Sequence, residues 1–300
     1  MSMRDWVLLF CLSFIWGSSF FLTALAVHEI PPFTLVLART GIAAIALYIY
    51  LRAKGESVPG GWVVIRTFTF LGFFSCAIPF TLFVWAQASI SSGLASIINA
   101  TTPMFTILVA HFALADERLS PNKVIGVVLG IAGVAVLVGG NAMTGINIQT
   151  YGILACLGAA FCYGMAGIYG RRYKTMGISP AVGAFGQLLA ASIMIAPIVI
   201  FVEQPWTGPT PGTVAVLAVL GIAIFTTAFA YLIFFRILAS AGAVNVALVT
   251  LIIPVTAILL GSGFLGEVLE TRHIAGMALI MSGLLAVDGR LWQRLKPKVA

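Results

Sequence analysis

Arg39 is a lone charge in "PPFTLVLARTGIAAIAL", residues 31–47, a run that otherwise avoids charge. Its five donors suit a carboxylate or a set of freed backbone carbonyls, and its long stem suits snorkelling to an interface. Structural organisation of its helix, contact with a solute and snorkelling are three readings that the residue type leaves open. A second candidate is the series Ser92, Ser96, Asn99, Thr102 and Thr106, which recurs every three or four residues. In a helix that spacing makes one polar stripe, which faces either a water-filled cavity or the backbone of neighbouring helices. Pro103 adjoins the stripe, and Pro254 sits in a second apolar run. Each proline removes a backbone donor and frees a carbonyl one turn earlier, so each reads as a fixed kink or as a gating element.

Hydrolytic and metal chemistry find little support. His28, His111 and His273 form no HExxH, "GSGFLG" is not a GxSxG elbow, and no phosphate-binding loop is present. Cys11, Cys76, Cys156 and Cys162 lack metal-ligand spacing and read as packed, reduced residues in helices. No catalytic residue, metal site or cofactor is expected. The nine acids are Asp5, Glu29, Glu56, Asp116, Glu117, Glu203, Glu267, Glu270 and Asp288, all at or near the ends of apolar runs or in loops. A mechanism resting on a carboxylate at mid-membrane is therefore disfavoured.

The elements that would position these residues follow from composition. Of 300 residues 61% are hydrophobic and only 8% charged, against about 25% charge in an ordinary soluble domain. The chain reads as an all-α membrane protein, with apolar runs long enough to cross a bilayer at about 6–27, 32–51, 65–86, 93–114, 122–139, 151–170, 180–202, 213–235, 243–265 and 272–289. The first run is longer than a signal-peptide core and is expected to stay as a helix. With both termini cytoplasmic, Arg4, Arg52, Lys54, Arg66, Arg118, Lys123, Arg171, Arg172, Lys174, Arg236 and the basic tail from Arg290 fall on one side, and only Arg272 falls on the other. One helix more or fewer would scramble that segregation. The net charge of +7 and pI near 9.5 express the same bias, and no nucleic-acid partner is expected.

An internal repeat organises the runs. "TTPMFTILVAHFALADERLSPNKVIGVVLGIAGVAVL" corresponds to "IIPVTAILLGSGFLGEVLETRHIAGMALIMSGLLAV", pairing Pro103 with Pro254, Glu117 with Glu267, Gly126 with Gly276 and Gly133 with Gly283. "WGSSFF" corresponds more faintly to "YGMAGI", and Arg39 pairs with Gln187. Five spans per repeat is an odd number, so residues 1–140 and 141–300 are expected to cross the membrane in opposite orientations. Glycines at 126, 130 and 133, and at 276 and 283, read as close-packing positions.

These paired segments, with "WGSSFF" in the first helix, resemble the EamA-type members of the drug/metabolite transporter superfamily, and the chain is similar to bacterial aromatic amino acid exporters of that group. The first repeat departs in carrying "LADE" where "LGE" is usual, as at Leu265, Gly266 and Glu267. The resemblance implies a multi-pass carrier in the bacterial inner membrane, exporting small amphipathic metabolites by alternating access. It implies a central cavity walled by helices 1, 3, 4, 6, 8 and 9, with helices 5 and 10 outside. Candidate cavity residues are Trp16, Phe83, Ser96, Asn99, Thr102, Tyr163, Phe225, Tyr231, Asn245 and Thr256, with Trp85 a further aromatic. Arg39 and Gln187 are expected as buried polar organisers. A solute with an apolar or aromatic body and a small polar head suits that lining, and aromatic or other apolar amino acids fit best. A lipid-modifying membrane enzyme and a channel are the alternatives, and lipid is the expected surround. Oligomeric state is left open.

Overall fold

The computed structural model describes residues 2–114, 119–139, 147–241 and 248–288, and these residues form helices joined by short turns, with no strand among them. Eight of the helices are long and apolar enough to cross a bilayer, and Val249–Phe264 and Thr271–Val287 are shorter apolar helices. The protein is an all-α, multi-pass membrane protein. We number the helices α1 (Met3–Ala26), α2 (Pro32–Ala53), α3 (Trp62–Gln87), α4 (Ser92–Ala113), α5 (Pro121–Val138), α6 (Ile148–Tyr169), α7 (Pro180–Ile198), α8 (Thr213–Ile237), α9 (Val249–Phe264) and α10 (Thr271–Asp288).

Their starts are written in the sequence. Ser2, Ser91, Ser120, Asn147 and Ser179 each accept a backbone N–H of the first turn that follows, and prolines open α2, α5 and α7 where no donor is needed. Carboxylates reach further. Glu203, in the π-helical turn Val199–Glu203 that ends α7, accepts from the Phe33 and Thr34 N–H groups and the Thr34 hydroxyl at 2.6–2.8 Å, capping α2. In return Glu56, just after α2, accepts from the hydroxyl of Ser179, the N-cap of α7, at 2.6 Å. Glu267 accepts from Ser92 and Gly93 at the start of α4, and Glu29 from the Gly212 N–H before α8. The acids stand at helix ends because there they meet unpaired donors and the positive end of a helix dipole.

Packing has a regular plan. α1 lies against α9 and α8, α6 against α4 and α3, α2 against α7 and α8, α3 against α7, and α5 against α10. Renaming each helix by five places returns the same set of neighbours. Gly17 of α1 permits the close approach of α9, since a Cβ there would lie 2.5 Å from Thr256 Cβ and 2.9 Å from the Ile253 carbonyl oxygen. Gly164 of α6 does the same against Phe105 and Thr106 of α4, at 2.9 Å from backbone atoms. In the sequence correspondence Gly17 pairs with Gly164 and Thr256 with Phe105. Gly126 meets Gly283 and Gly133 meets Gly276 across the α5–α10 seam, each Cβ position being 2.6–2.9 Å from the facing carbonyl oxygen.

Three helices are irregular where the middle of the bundle needs it. α3 carries a π-helical turn at Phe73–Ala77 and α8 one at Ile222–Phe229. α4 is two segments, Ser92–Asn99 and Thr102–Ala113, with a turn at residues 100 and 101. The span expected over about 93–114 is present, with its break at the proline read as a kink or gate: Pro103 cannot donate to the Asn99 carbonyl, and the ladder re-forms with Met104 and Phe105 donating to Thr101. Large apolar side chains such as Phe14, Ile45, Ile49 and Leu259 are exposed on the outer face, as a hydrocarbon solvent allows. Cys76, Cys156 and Cys162 are buried and free, whereas Cys11 is free and exposed on the outer face of α1, not packed as expected.

Candidate functional site

A cavity of about 320 Å³ lies where the irregular helices meet. Its wall comes from α1, α3, α4, α6, α8 and α9, with α2 contributing Arg39; α5, α7 and α10 contribute no lining residue among those described. That is the set of helices implied by the resemblance, with one addition.

Seven of the nineteen described lining residues are aromatic. Trp16 packs on Phe234 at 5.5 Å between ring centroids, Phe83 stands edge-on to Phe20 at 5.6 Å and stacks with Tyr163 at 6.1 Å. Trp16 and Tyr163 hold corresponding places in the two halves. Five polar residues enter where a helix deviates from α geometry, Ser75 from the π turn of α3, Thr226 and Thr227 from that of α8, and Asn99 and Thr102 from either side of the α4 break, while Ser19, Thr23, Arg39 and Gln87 come from regular α-helix. Pro103 and Pro254 withhold the helical donors that the Asn99 and Thr250 carbonyls would otherwise take, and both of those residues line the cavity.

Arg39 is the one charged residue among the described lining. Its Nε–H donates to Thr227 Oγ1 at 3.0 Å, and its guanidinium carbon sits 3.7 Å from the centroid of the Phe80 ring. These contacts fix the plane of the guanidinium and leave its other donors uncommitted to any carboxylate among the described residues. Two buried acceptors of the same cavity, Gln87 Oε1 and Thr102 Oγ1, have no hydrogen-bond partner. An apolar chamber with one cation and two orphaned acceptors can hold an amphipathic molecule by both its body and its polar head.

Of the other expected residues, Trp16, Phe83, Asn99, Thr102, Tyr163 and Tyr231 line the cavity. Gln187 lies behind it and donates from Nε2 to the Tyr231 hydroxyl at 3.1 Å. Ser96 is fully buried and donates to the Gly93 carbonyl instead, while Ser92 holds Glu267 and Thr106 donates to Thr102. The five-residue polar stripe is therefore split, with Asn99 and Thr102 alone at the cavity. Phe225 is 61% exposed on the outer surface, because its neighbours Thr226 and Thr227 take the inward positions that hydroxyls need in a membrane. Trp85 is exposed as well. Thr256 packs on Gly17 and is absent from the lining, and Asn245 lies outside the described residues. Sequence reasoning missed Phe80, Gln87, Thr227 and Thr250. Gln87 and the Thr226–Thr227 pair carried a readable signal, since uncommitted polar groups in apolar runs must face protein or water.

The sequence matches the EamA-like transporter family twice, over residues 5–139 and 150–287. It is 28% identical to the "Uncharacterized inner membrane transporter YedA" of Escherichia coli (strain K12), over 97% of this chain and 93% of that one. It is 26% identical to a "Probable amino-acid metabolite efflux pump" of the same organism, over 98% of each chain. A protein crystal structure at 23% identity shares the fold with a TM-score of 0.69, covering 99% of this chain and 100% of the other.

Proposed function

The chain belongs to the EamA-like transporter family, and on that premise we propose that it exports small amphipathic metabolites across the bacterial inner membrane by alternating access, aromatic or other apolar amino acids being the solutes that fit it best. The observation that carries the proposal is the chamber itself: aromatic rings beside a single cation and two unpartnered acceptors in the described lining. Its volume of about 320 Å³ suits one molecule of that size. The amino-acid metabolite efflux named for one relative agrees with that reading.

The ten apolar helices are read as ten spans with both termini in the cytoplasm, α9 and α10 crossing despite their shortness. Segregated basic residues support this orientation. Residues 1–140 and 141–300 are read as inverted five-helix repeats. The double family match, the exchange-symmetric neighbours and the equivalent contacts at Gly17 and Gly164 support that division. The family is one of transporters, not enzymes, and no group of three or more metal-ligating side chains occurs among the described residues.

Alternating access then means that the halves rock about the cavity, with the kinks at Pro103 and Pro254 beside the solute. The described lining contains no carboxylate or histidine that could carry a proton with the solute. The test is a panel of amino acids, nucleosides and amphipathic drugs offered to the reconstituted protein, with and without an imposed proton gradient. Saturable flux of apolar amino acids, unchanged by the gradient, is expected. Flux of none of the amino acids would overturn the substrate reading, and a gradient-dependent rate would overturn the uncoupled mechanism.

A further inference from the structure

We propose that the cavity recognises its solute by the carboxylate, through Arg39, and does not require an ammonium group, so that apolar and aromatic 2-hydroxy acids are carried as well as the corresponding amino acids. This deepens the transport reading and rests on it.

The charge of Arg39 is unmatched among the described lining. Arg39 enters the chamber from α2, the one lining residue that this helix supplies among those described, and no carboxylate lines the same chamber. Its partners, the Thr227 hydroxyl and the face of Phe80, orient the guanidinium without neutralising it. A cation removed from water with only neutral partners is stabilised by any anion that can reach it, and a bidentate carboxylate matches its fork. A structural arginine would be expected to spend its donors on carbonyls; the hydrogen bond found goes to one threonine.

The group beside the carboxylate meets different chemistry. Gln87 Oε1 and Thr102 Oγ1 are buried, lack a donor and belong to the same lining. Both are neutral. They can accept a hydrogen bond from a hydroxyl or an amine alike, and neither supplies the negative charge that would single out an ammonium. The hydrocarbon body of either solute rests on Trp16, Phe83 and Tyr163.

The experiment uses four compounds with one aromatic body: phenylalanine, phenyllactate, phenylalaninamide and phenylalaninol. Binding to the purified full-length protein is measured by calorimetry, and flux in proteoliposomes. Phenyllactate is expected to bind within about threefold of phenylalanine, whereas the two compounds without a carboxylate bind at least about tenfold more weakly, a loss of about 1.4 kcal/mol or more. Arg39→Gln should remove that preference and Arg39→Lys should retain part of it. Equal binding of phenylalanine and its amide, phenyllactate weaker by tenfold, or no binding of any of the four would overturn the proposal; the wild-type order decides this even if the variants fail to fold. The predicted order of binding without flux would leave the carboxylate site standing and overturn the transport reading instead.

Discussion

Replacing Glu203 by alanine removes three short hydrogen bonds, 2.6–2.8 Å, that tie the end of α7 to the first turn of α2. Hydrogen bonds to a charged group contribute about 1.5–3 kcal/mol net, and water at the helix end replaces part of what is lost. The helix-dipole contribution of a carboxylate at an N-terminus adds about 0.3–1 kcal/mol. Alanine should therefore cost about 2–3 kcal/mol in all, and glutamine, which keeps an acceptor but not the charge, about 1 kcal/mol. At about 2–4 °C per kcal/mol, the scale of domains somewhat smaller than this chain of 300 residues, this is roughly a 4–12 °C fall for Glu203→Ala and 2–4 °C for Glu203→Gln. Thermal unfolding of the detergent-solubilised protein reads both values. A Glu203→Ala midpoint within about 1 °C of wild type would refute the reasoning that these bonds hold the two halves together.

Gly126→Ala places a Cβ 2.6 Å from the backbone oxygen of Gly283, which cannot move without its helix, whereas Gly130→Ala meets the end of the Met104 side chain, which can turn aside. The first should lower thermal stability by about 1–3 kcal/mol and the second by less, with solute affinity unchanged in the folded protein, because α5 and α10 supply none of the described lining. Trp16→Ala should weaken solute binding by about 5- to 150-fold, about 1–3 kcal/mol being usual for a lost aromatic contact in a pocket. Phe225→Ala, on the outer surface, should leave binding within about twofold by the same titration, since no contact is lost. Outside the spanning helices, the hydrogen bond from Arg272 holds the Glu270 carboxyl below its ordinary value. A lowered carboxyl contributes stability that is present above the ordinary carboxyl range and is lost as pH falls through the folded value, so Glu270→Gln should be slightly destabilising near about pH 7, with the difference from wild type shrinking as parallel melts are taken to pH values below the ordinary carboxyl range.

The helices and their order were legible because each apolar run is long and six of the starts, those of α1, α2, α4, α5, α6 and α7, carry a side-chain cap or a proline, as Ser91, Ser120, Ser179 and Pro32 show. The correspondence between the two stretches rests on glycines and prolines, whose roles are backbone roles and survive when side chains diverge: Gly17 and Gly164 make like contacts although their neighbours share little sequence. The cavity was legible only in part. A polar spacing of three and four predicts one face of an unbroken helix, but the turn at 100 and 101 in α4 leaves Ser92 and Ser96 to other partners and only Asn99 and Thr102 at the chamber. In α8 the π turn changes the angle per residue, so an α-helical projection does not carry across Ile222–Phe229. The partners of Arg39 are farther still from reach, Thr227 lying 188 residues along the chain. Its unspent charge shows only when the whole chamber is assembled.

A single site that faces each side in turn makes one demand that a pore does not. Proteoliposomes preloaded with unlabelled phenylalanine and diluted into tracer should take up label to a level above equilibrium and then lose it, because the site returns to the outside loaded and exchanges for label there. Uptake that rises monotonically to equilibrium at saturating preload would contradict a carrier built on this cavity.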